Sequence, residues 1–342
     1  MKFSIAFAVA SALVAVTSAS PVNPNSQGQS GSQGQQKSSG LTGPNGEPYV
    51  PGKWFDRFFM IIGENMDFWT VEADPVFANL WKEAPNGRLL GNYYAITHPS
   101  QPNYFSHISA TSYGWNSDSP TNITGAESYS IVDVLEEKGI SWAGYAEDYP
   151  VQQGCYIPYA PVDAQGNQVP HSYVRKHFPF ISMENIYTNQ TRCNNLYNAD
   201  MFWQHLKEEK LPQFVYFVPN LLNDGHDTNV TYFGNYIKET WYNTFLHNSY
   251  FNSKALNYLS LDESGNTTGF NTVPGDNNNH IYTAIWGDAV RNDNVYDKYD
   301  WVRYNHSSIS ATLEVNWFGK QGQLGRNDTY APVFSLPNSG SI

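Results

Sequence analysis

Ser100 stands between two prolines in the run Thr97-His98-Pro99-Ser100-Gln101-Pro102-Asn103, directly after the apolar stretch 88–96. Proline fixes φ and removes a backbone donor, so this turn is stiff and the hydroxyl has a defined direction. A serine held in this way is a nucleophile or merely the polar tip of a rigid turn. Three other apolar runs end in a similar fashion. "RFFMII" (57–62) is followed by Glu64 and Asn65, "QFVYFV" (213–218) by Asn220, Asp224, His226 and Asp227, and "ALNYLSL" (255–261) by Asp262 and Glu263. Carboxylate and amide oxygens with one or two imidazoles suit a hard or borderline divalent cation. Beside such a cation the Ser100 hydroxyl ionises more readily and becomes a nucleophile without a neighbouring base. Asn103, three residues on, could place an amide N–H on an oxygen of a tetrahedral substrate.

Each fragment alone has a blander reading. A "DE" after a strand is commonly a helix cap or a solvated turn. "NDGHD" is also turn chemistry, because Asn, Asp and Gly tolerate turn conformations. Glu64 and Asn65 could satisfy backbone donors at a helix entry, and a lone histidine is more often a surface or satisfied group than a ligand. The convergence of four strand ends is the signal, since ligands of open α/β sheets bind outside the carboxyl ends of the strands.

The elements that must position these residues alternate along the chain. Strands are expected at 57–62, 88–96, 141–147, 213–218, 255–261 and 280–286. Helices are expected at 71–84, 103–112, 129–139, 200–210, 236–247 and near 308–317. Alternating βα units predict an α/β fold, one domain with a largely parallel sheet and helices on both faces.

The first residues, "MKFSIAFAVASALVAVTSAS", carry a lysine, an apolar run and small residues, which predicts a secretory signal over 1–19. Residues 20–50 are rich in Gly, Ser, Gln and Pro and read as a disordered leader, with a single domain over 51–342. No later segment is a continuous apolar span. Export agrees with sequons at Asn122, Asn189, Asn229, Asn266, Asn305 and Asn327, and with the two cysteines, Cys155 and Cys193, as one disulfide. Asn305 adjoins His306 and is expected to carry no glycan. The formal net charge of −12 disfavours nucleic acid and anionic membranes as partners. The expected location is extracellular or the cell wall.

The blocks "GEN", "THPSQPNYFSHISATSYG", "VPNLLNDGHDT", "LDES", "NHIYTAIWGDAV" and "NHSSISATLEVNW…LGRND" follow one another in this chain. In that order they resemble the fungal secreted acid phosphatases of the phosphoesterase family, which is similar to bacterial phospholipases C and acid phosphatases and belongs to the alkaline-phosphatase superfamily. The resemblance spans nearly all of residues 54–335. It implies a three-layer α/β/α sandwich with a mostly parallel central sheet, alkaline-phosphatase-like, and hydrolysis of phosphate monoesters through a phospho-serine. It makes Ser100 the nucleophile and Glu64, Asn65, Asp262 and Glu263 the ligands of the activating metal. It sets His226 and His306 near the phosphate or a second metal, with Asn220 or Asp224 as an added ligand, and His177 with Lys176 on a phosphate oxygen.

Members with two zinc ions carry an Asp-His pair where this chain has Asp262-Glu263, which leaves the number of divalent ions at one or two. A cage with more carboxylates than imidazoles favours acid operation, because imidazole protonates near pH 6.5 and carboxylates near about pH 4. The G-x-S-x-G elbow of esterases is absent. A phosphodiesterase or phospholipase C using the same site is the alternative within this chemistry. A non-catalytic cell-wall glycoprotein is the alternative of another class, supported by the aromatic content of 15%.

Overall fold

The computed structural model describes residues 40–265, 279–290 and 298–337. The expected signal segment, most of the expected leader and the sequon at Asn266 lie outside the described residues. The strands are β1 (Arg57–Gly63), β2 (Arg88–Leu90), β3 (Tyr93–Tyr94), β4 (Trp142–Ala146), β5 (Leu196–Asn198), β6 (Phe214–Val218), β7 (Ala255–Leu261), β8 (Thr283–Trp286), β9 (Tyr299–Asp300) and β10 (Tyr304–Asn305). Eight of them form one sheet in the order β5-β4-β6-β1-β7-β8-β2-β9, and β10 pairs with β3 in a small second sheet. All pairings in the large sheet are parallel except those of β8 with β7 and with β2.

The central strands β1, β6 and β7 are buried along their whole length. That is why they read as unbroken apolar runs rather than alternating ones. Alternate residues of β1 face opposite layers. Phe59 packs on Phe202, Trp241, Phe245 and Phe251, while Phe58 packs on Phe55 and Tyr258. The first group belongs to the helices Ala199–Lys207, Tyr242–His247 and Ser249–Asn252 and to the π-helical turn Ile237–Trp241. On the opposite side Tyr216 of β6 meets His107 of the helix Ser100–Ser109, and Phe55 meets Trp317 of the helix Ser307–Phe318. This is the expected three-layer arrangement.

Several local expectations shift. The helix expected over 71–84 is two helices, Phe68–Ala73 and Pro75–Glu83. The break comes at Asp74, whose side chain accepts from Val76 N at 2.9 Å while Pro75 opens the second helix. The strand expected over 88–96 is interrupted after Leu90, so β2 and β3 lie in different sheets. The helix expected from 103 starts three residues earlier, at Ser100, with Pro99 as N-cap. Pro102 is tolerated there because the first turn needs no backbone donor.

The expected leader also ends before residue 50. Tyr49 is buried and its hydroxyl donates to Leu211 O, and Val50 N donates to Gln213 Oε1 at 2.9 Å. An apolar ring and a paired backbone keep residues 40–50 on the body of the protein. Cys155 and Cys193 form the expected disulfide, closing a separation of 38 residues.

Candidate active site

Register does the first part of the positioning. Gly63 of β1 pairs with Leu261 of β7, so Glu64 and Asp262 leave adjacent strands side by side. Asp262 N donates to Gly63 O at 3.0 Å, Asn65 N to Asp262 Oδ1 at 3.1 Å, and Met66 N to Glu263 O at 3.2 Å. Gly265 keeps this corner tight, since a Cβ there would lie 2.3 Å from Asn65 O. On the other side of β1, Glu64 N donates to Asp224 O at 2.9 Å, which brings in the turn after β6. That turn needs Gly225, whose φ of +95° is closed to side chains with a Cβ.

Ser100 opens its helix beneath this corner, and its hydroxyl donates to Glu64 Oε2 at 3.1 Å. The first turn of a helix presents free N–H groups and positive potential, which favour an anion. Asn103 is already committed. Its Oδ1 accepts from Ile96 N and Thr97 N, and its Nδ2 donates to Thr97 O at 2.8 Å and Glu263 Oε2 at 3.1 Å. Where a donor to substrate was expected, the structure shows an amide that ties the serine turn to Glu263.

The third contribution comes from the short 3-10 helix Arg175–His177. The His177 ring stacks on Tyr104 at 4.8 Å, with Nε2 3.1 Å from Glu64 Oε1 and Nδ1 3.4 Å from Asp224 Oδ2. The ring is misaligned for hydrogen bonds to either, so His177 Nε2, Glu64 Oε1 and Asp224 Oδ2 are buried without hydrogen-bond partners. Lys176 Nζ lies 2.8 Å from Asp118 Oδ2 and 3.3 Å from His226 Nε2. The other oxygen of Asp118 accepts from Gln101 N at 3.0 Å, the residue after the serine.

His98 Nδ1 lies 3.0 Å from Glu263 Oε2. Neither Asp118 nor His98 was singled out from sequence. His98 lies in the quoted proline run and was within reach, whereas Asp118 sits in an ordinary polar loop with no signal.

Glu64, Asp224 and Asp262 are fully buried and Glu263 is 5% exposed, against one buried ammonium, Lys176. Burial, followed by the charges of Asp262 and Asp224, pushes the Glu64 carboxyl well above its ordinary range. Asp262 rises through burial and then Glu263, and Glu263 is pushed up to about 8 by burial and then Asp118. Burial, then Lys176 and His226, push His177 well below its ordinary value. Carboxyls that would otherwise hold protons, with Glu64 Oε1 and Asp262 Oδ2 lacking partners, form a donor set that fits a divalent cation. One ligand atom each from Glu64, His177 and His226 also lie within 4.8 Å of one another.

Two expected members stand elsewhere. His306 is buried behind the corner. Its Nε2 donates to the carbonyl oxygen of Asp262 at 2.7 Å, which leaves Nδ1 to accept from His107 Nε2 at 3.2 Å and His107 Nδ1 to accept from the Tyr216 hydroxyl at 2.8 Å. Burial pushes His306 down to about 4, so it is a neutral strut with both nitrogens spent rather than a group facing phosphate or metal. Asn220 is turned away. Its Oδ1 accepts from Leu222 N and Asn223 N, and its Nδ2 donates to Asp148 Oδ2 at 2.8 Å. Asp224 is the member of that turn that reaches the corner.

The sequence matches the phosphoesterase family over residues 28–318. The chain belongs to that family. It is 34% identical to an acid phosphatase of Aspergillus fumigatus, over 85% of this chain and 62% of that protein. It is likewise 34% identical to a probable acid phosphatase of Kluyveromyces lactis, over 84% of this chain and 63% of that protein. The chain thus spans under two thirds of the length of these two relatives. Among solved structures it superposes on a protein in the alkaline phosphatase superfamily from Vibrio parahaemolyticus with a TM-score of 0.46 and 14% identity, covering 83% of this chain and 72% of that one. The sheet order, not this superposition, carries the fold assignment.

Proposed function

We propose that this phosphoesterase-family protein is a secreted acid phosphatase, a hydrolase of phosphate monoesters with Ser100 as nucleophile. The observation that carries the reading is the Ser100 hydroxyl at a helix N-terminus, 3.1 Å from a fully buried carboxylate whose second oxygen has no hydrogen-bond partner. The 34% identical fungal proteins described as acid phosphatases support it.

Glu64, Asn65, Asp262 and Glu263 would hold a divalent ion, which when bound supplies a Lewis acid for the serine alkoxide and the phosphoryl oxygens. The chain's own groups do the rest. Glu64 Oε2 accepts the hydroxyl hydrogen bond and orients Oγ for in-line attack on phosphorus. As Oγ gives up its proton to solvent, a bond forms from Oγ to phosphorus, the bond to the leaving oxygen breaks and that oxygen takes a proton from solvent. Water then attacks the phospho-serine, releasing phosphate and restoring the Ser100 hydroxyl. Lys176 and the helix N-terminus face the phosphate's negative charge. Asn103 and His306 hold Glu263 and the Asp262 main chain in place.

Export and glycosylation belong to the same proposal. Asn122, Asn189, Asn229 and Asn327 are exposed, whereas Asn305 is half-buried with Oδ1 accepting from Ser307 N at 2.9 Å. A glycopeptide map with Asn305 unmodified and the exposed sequons occupied is the expected result.

The test is initial rates on p-nitrophenyl phosphate and bis-p-nitrophenyl phosphate at about pH 5, with the protein dialysed against Mn²⁺. A strong preference for the monoester is expected. A preference for the diester makes the protein a phosphodiesterase or phospholipase C. Turnover of neither by the ion-loaded protein overturns the enzymatic reading and leaves a binding glycoprotein.

A further inference from the structure

The imidazole side of the site carries a cation of its own. Lys176 has three N–H donors and no acceptor, and it is 7% exposed. Its ammonium rests on Asp118 Oδ2 at 2.8 Å and on His226 Nε2 at 3.3 Å. The second contact requires a lone pair on Nε2, and the structure shows why one is there. His226 Nδ1 lies 2.7 Å from Asp227 Oδ1, and His171 Nδ1 lies 2.6 Å from Asp227 Oδ2. An ionised carboxylate only accepts, so Nδ1 of His226 carries a hydrogen, and Nε2, which faces an ammonium that only donates, is the acceptor.

His226 is also one corner of the group with Glu64 and His177, whose ligand atoms lie within 4.8 Å of one another. Two imidazoles and a carboxylate are a donor set for a borderline divalent ion. Glu64 is placed to serve two cations, with Oε2 on Ser100 and Oε1 beside His177. The Nε2 lone pair that a second ion would need is nevertheless taken by Lys176.

We propose that Lys176 stands in for a second divalent ion, so that the site works with one ion on the carboxylate side and one fixed ammonium on the imidazole side. This rests on the phosphatase reading above and answers the count of ions that the sequence left open. Asp118 ties the ammonium to Gln101 N of the serine helix, Asp227 sets the tautomer of His226 that receives it, and His171 occupies the second oxygen of Asp227. Removing the ammonium frees His226 Nε2 and takes away the positive charge that repels an incoming cation, and Glu64, His177 and His226 then accept an ion.

The experiment is Mn²⁺ binding to the full chain, read as ions per chain by equilibrium dialysis and as Mn–Mn coupling by electron paramagnetic resonance. The wild-type protein is expected to bind one ion per chain with an uncoupled signal. Lys176→Met is expected to bind two with a coupled signal, because Glu64 belongs to both donor sets, and Lys176→Arg is expected to stay at one. Two ions on the wild type, or one on a Lys176→Met protein with native circular dichroism, overturns the proposal. A wild type that binds none overturns the metal-activated serine itself, a distinct result.

Should Lys176→Met fail to fold, ¹⁵N shifts of His226 in the wild type decide. Hydrogen on Nδ1 and an unprotonated, hydrogen-bonded Nε2 support the proposal, and the opposite tautomer overturns it.

Discussion

Glu64 and Asp262 leave two hydrogen-bonded parallel strands one residue past their last paired register, and their main chains are tied to each other and to the turn after β6. Lys176, His177 and His226 reach the same space from a 3-10 turn and a loop, and they are held by side-chain contacts to Asp118, Tyr104 and Asp227. Backbone ladders in a buried sheet position the first set. Charge pairs and stacking position the second, and Lys176 and His177 lie on the segment from β4 to β5 that Cys155–Cys193 straps. The difference teaches that two halves of one site, held by different forces, can be damaged separately.

The largest effect is expected where the two sides meet. Ser100→Ala should lower kcat/KM for p-nitrophenyl phosphate by about ten-thousand-fold while leaving the number of bound ions unchanged. Initial rates and Mn²⁺ titration on the same sample check both halves of that statement.

Next, the two sides should separate. Asp262→Asn should weaken Mn²⁺ binding by about a hundredfold, whereas His226→Asn should lower kcat/KM by about a hundredfold with ion affinity within about threefold of wild type. The opposite pattern would break the comparison.

Replacing both Cys155 and Cys193 by serine removes the strap and should cost about 2–4 kcal/mol in urea unfolding. In the folded fraction, turnover should fall more than Mn²⁺ affinity, because the strap lies on the imidazole side.

The smallest effect concerns a carboxyl remote from both sides. Glu314 accepts from Gly322, Gln323 and Leu324 N, and burial followed by Asp328 pushes its carboxyl up to about 7. A folded-state value above the unfolded one means that the folded protein binds more protons, so stability falls as pH rises from about 4.5 to about 7. Glu314→Gln should flatten that fall, by on the order of 1 kcal/mol after allowance for solvent screening, in melting curves recorded at both pH values.

Much of the carboxylate side was legible because each residue follows an apolar run directly, and chain adjacency to a strand end is a local property. Glu64, Asn65, Ser100, Asp262 and Glu263 were all named in this way, and the structure brings them together at one corner. Asn103 was read as a ligand-facing group because its type fits, and His306 because the resemblance set it near the phosphate, yet their hydrogen bonds are spent on Asp262, His107, Thr97 and Glu263. A residue type states which bonds a side chain is able to make, and only the packed neighbours determine which it makes. Asp118 was missed for the converse reason, since an aspartate in a polar loop is ordinary until Lys176 is seen beside it.

The sequence by itself determined the alternation of strands and helices, the buried centre of the sheet and the strand ends that bear chemistry. These follow from periodicity, which needs only neighbours along the chain. The tertiary structure decided the order of the strands, the helical start at Ser100, the strut role of His306 and the encounter of Lys176 with His226. Each of those depends on residues far apart in sequence, such as the fifty positions between Lys176 and His226, meeting in a low-dielectric interior where an unpaired charge is too costly to keep.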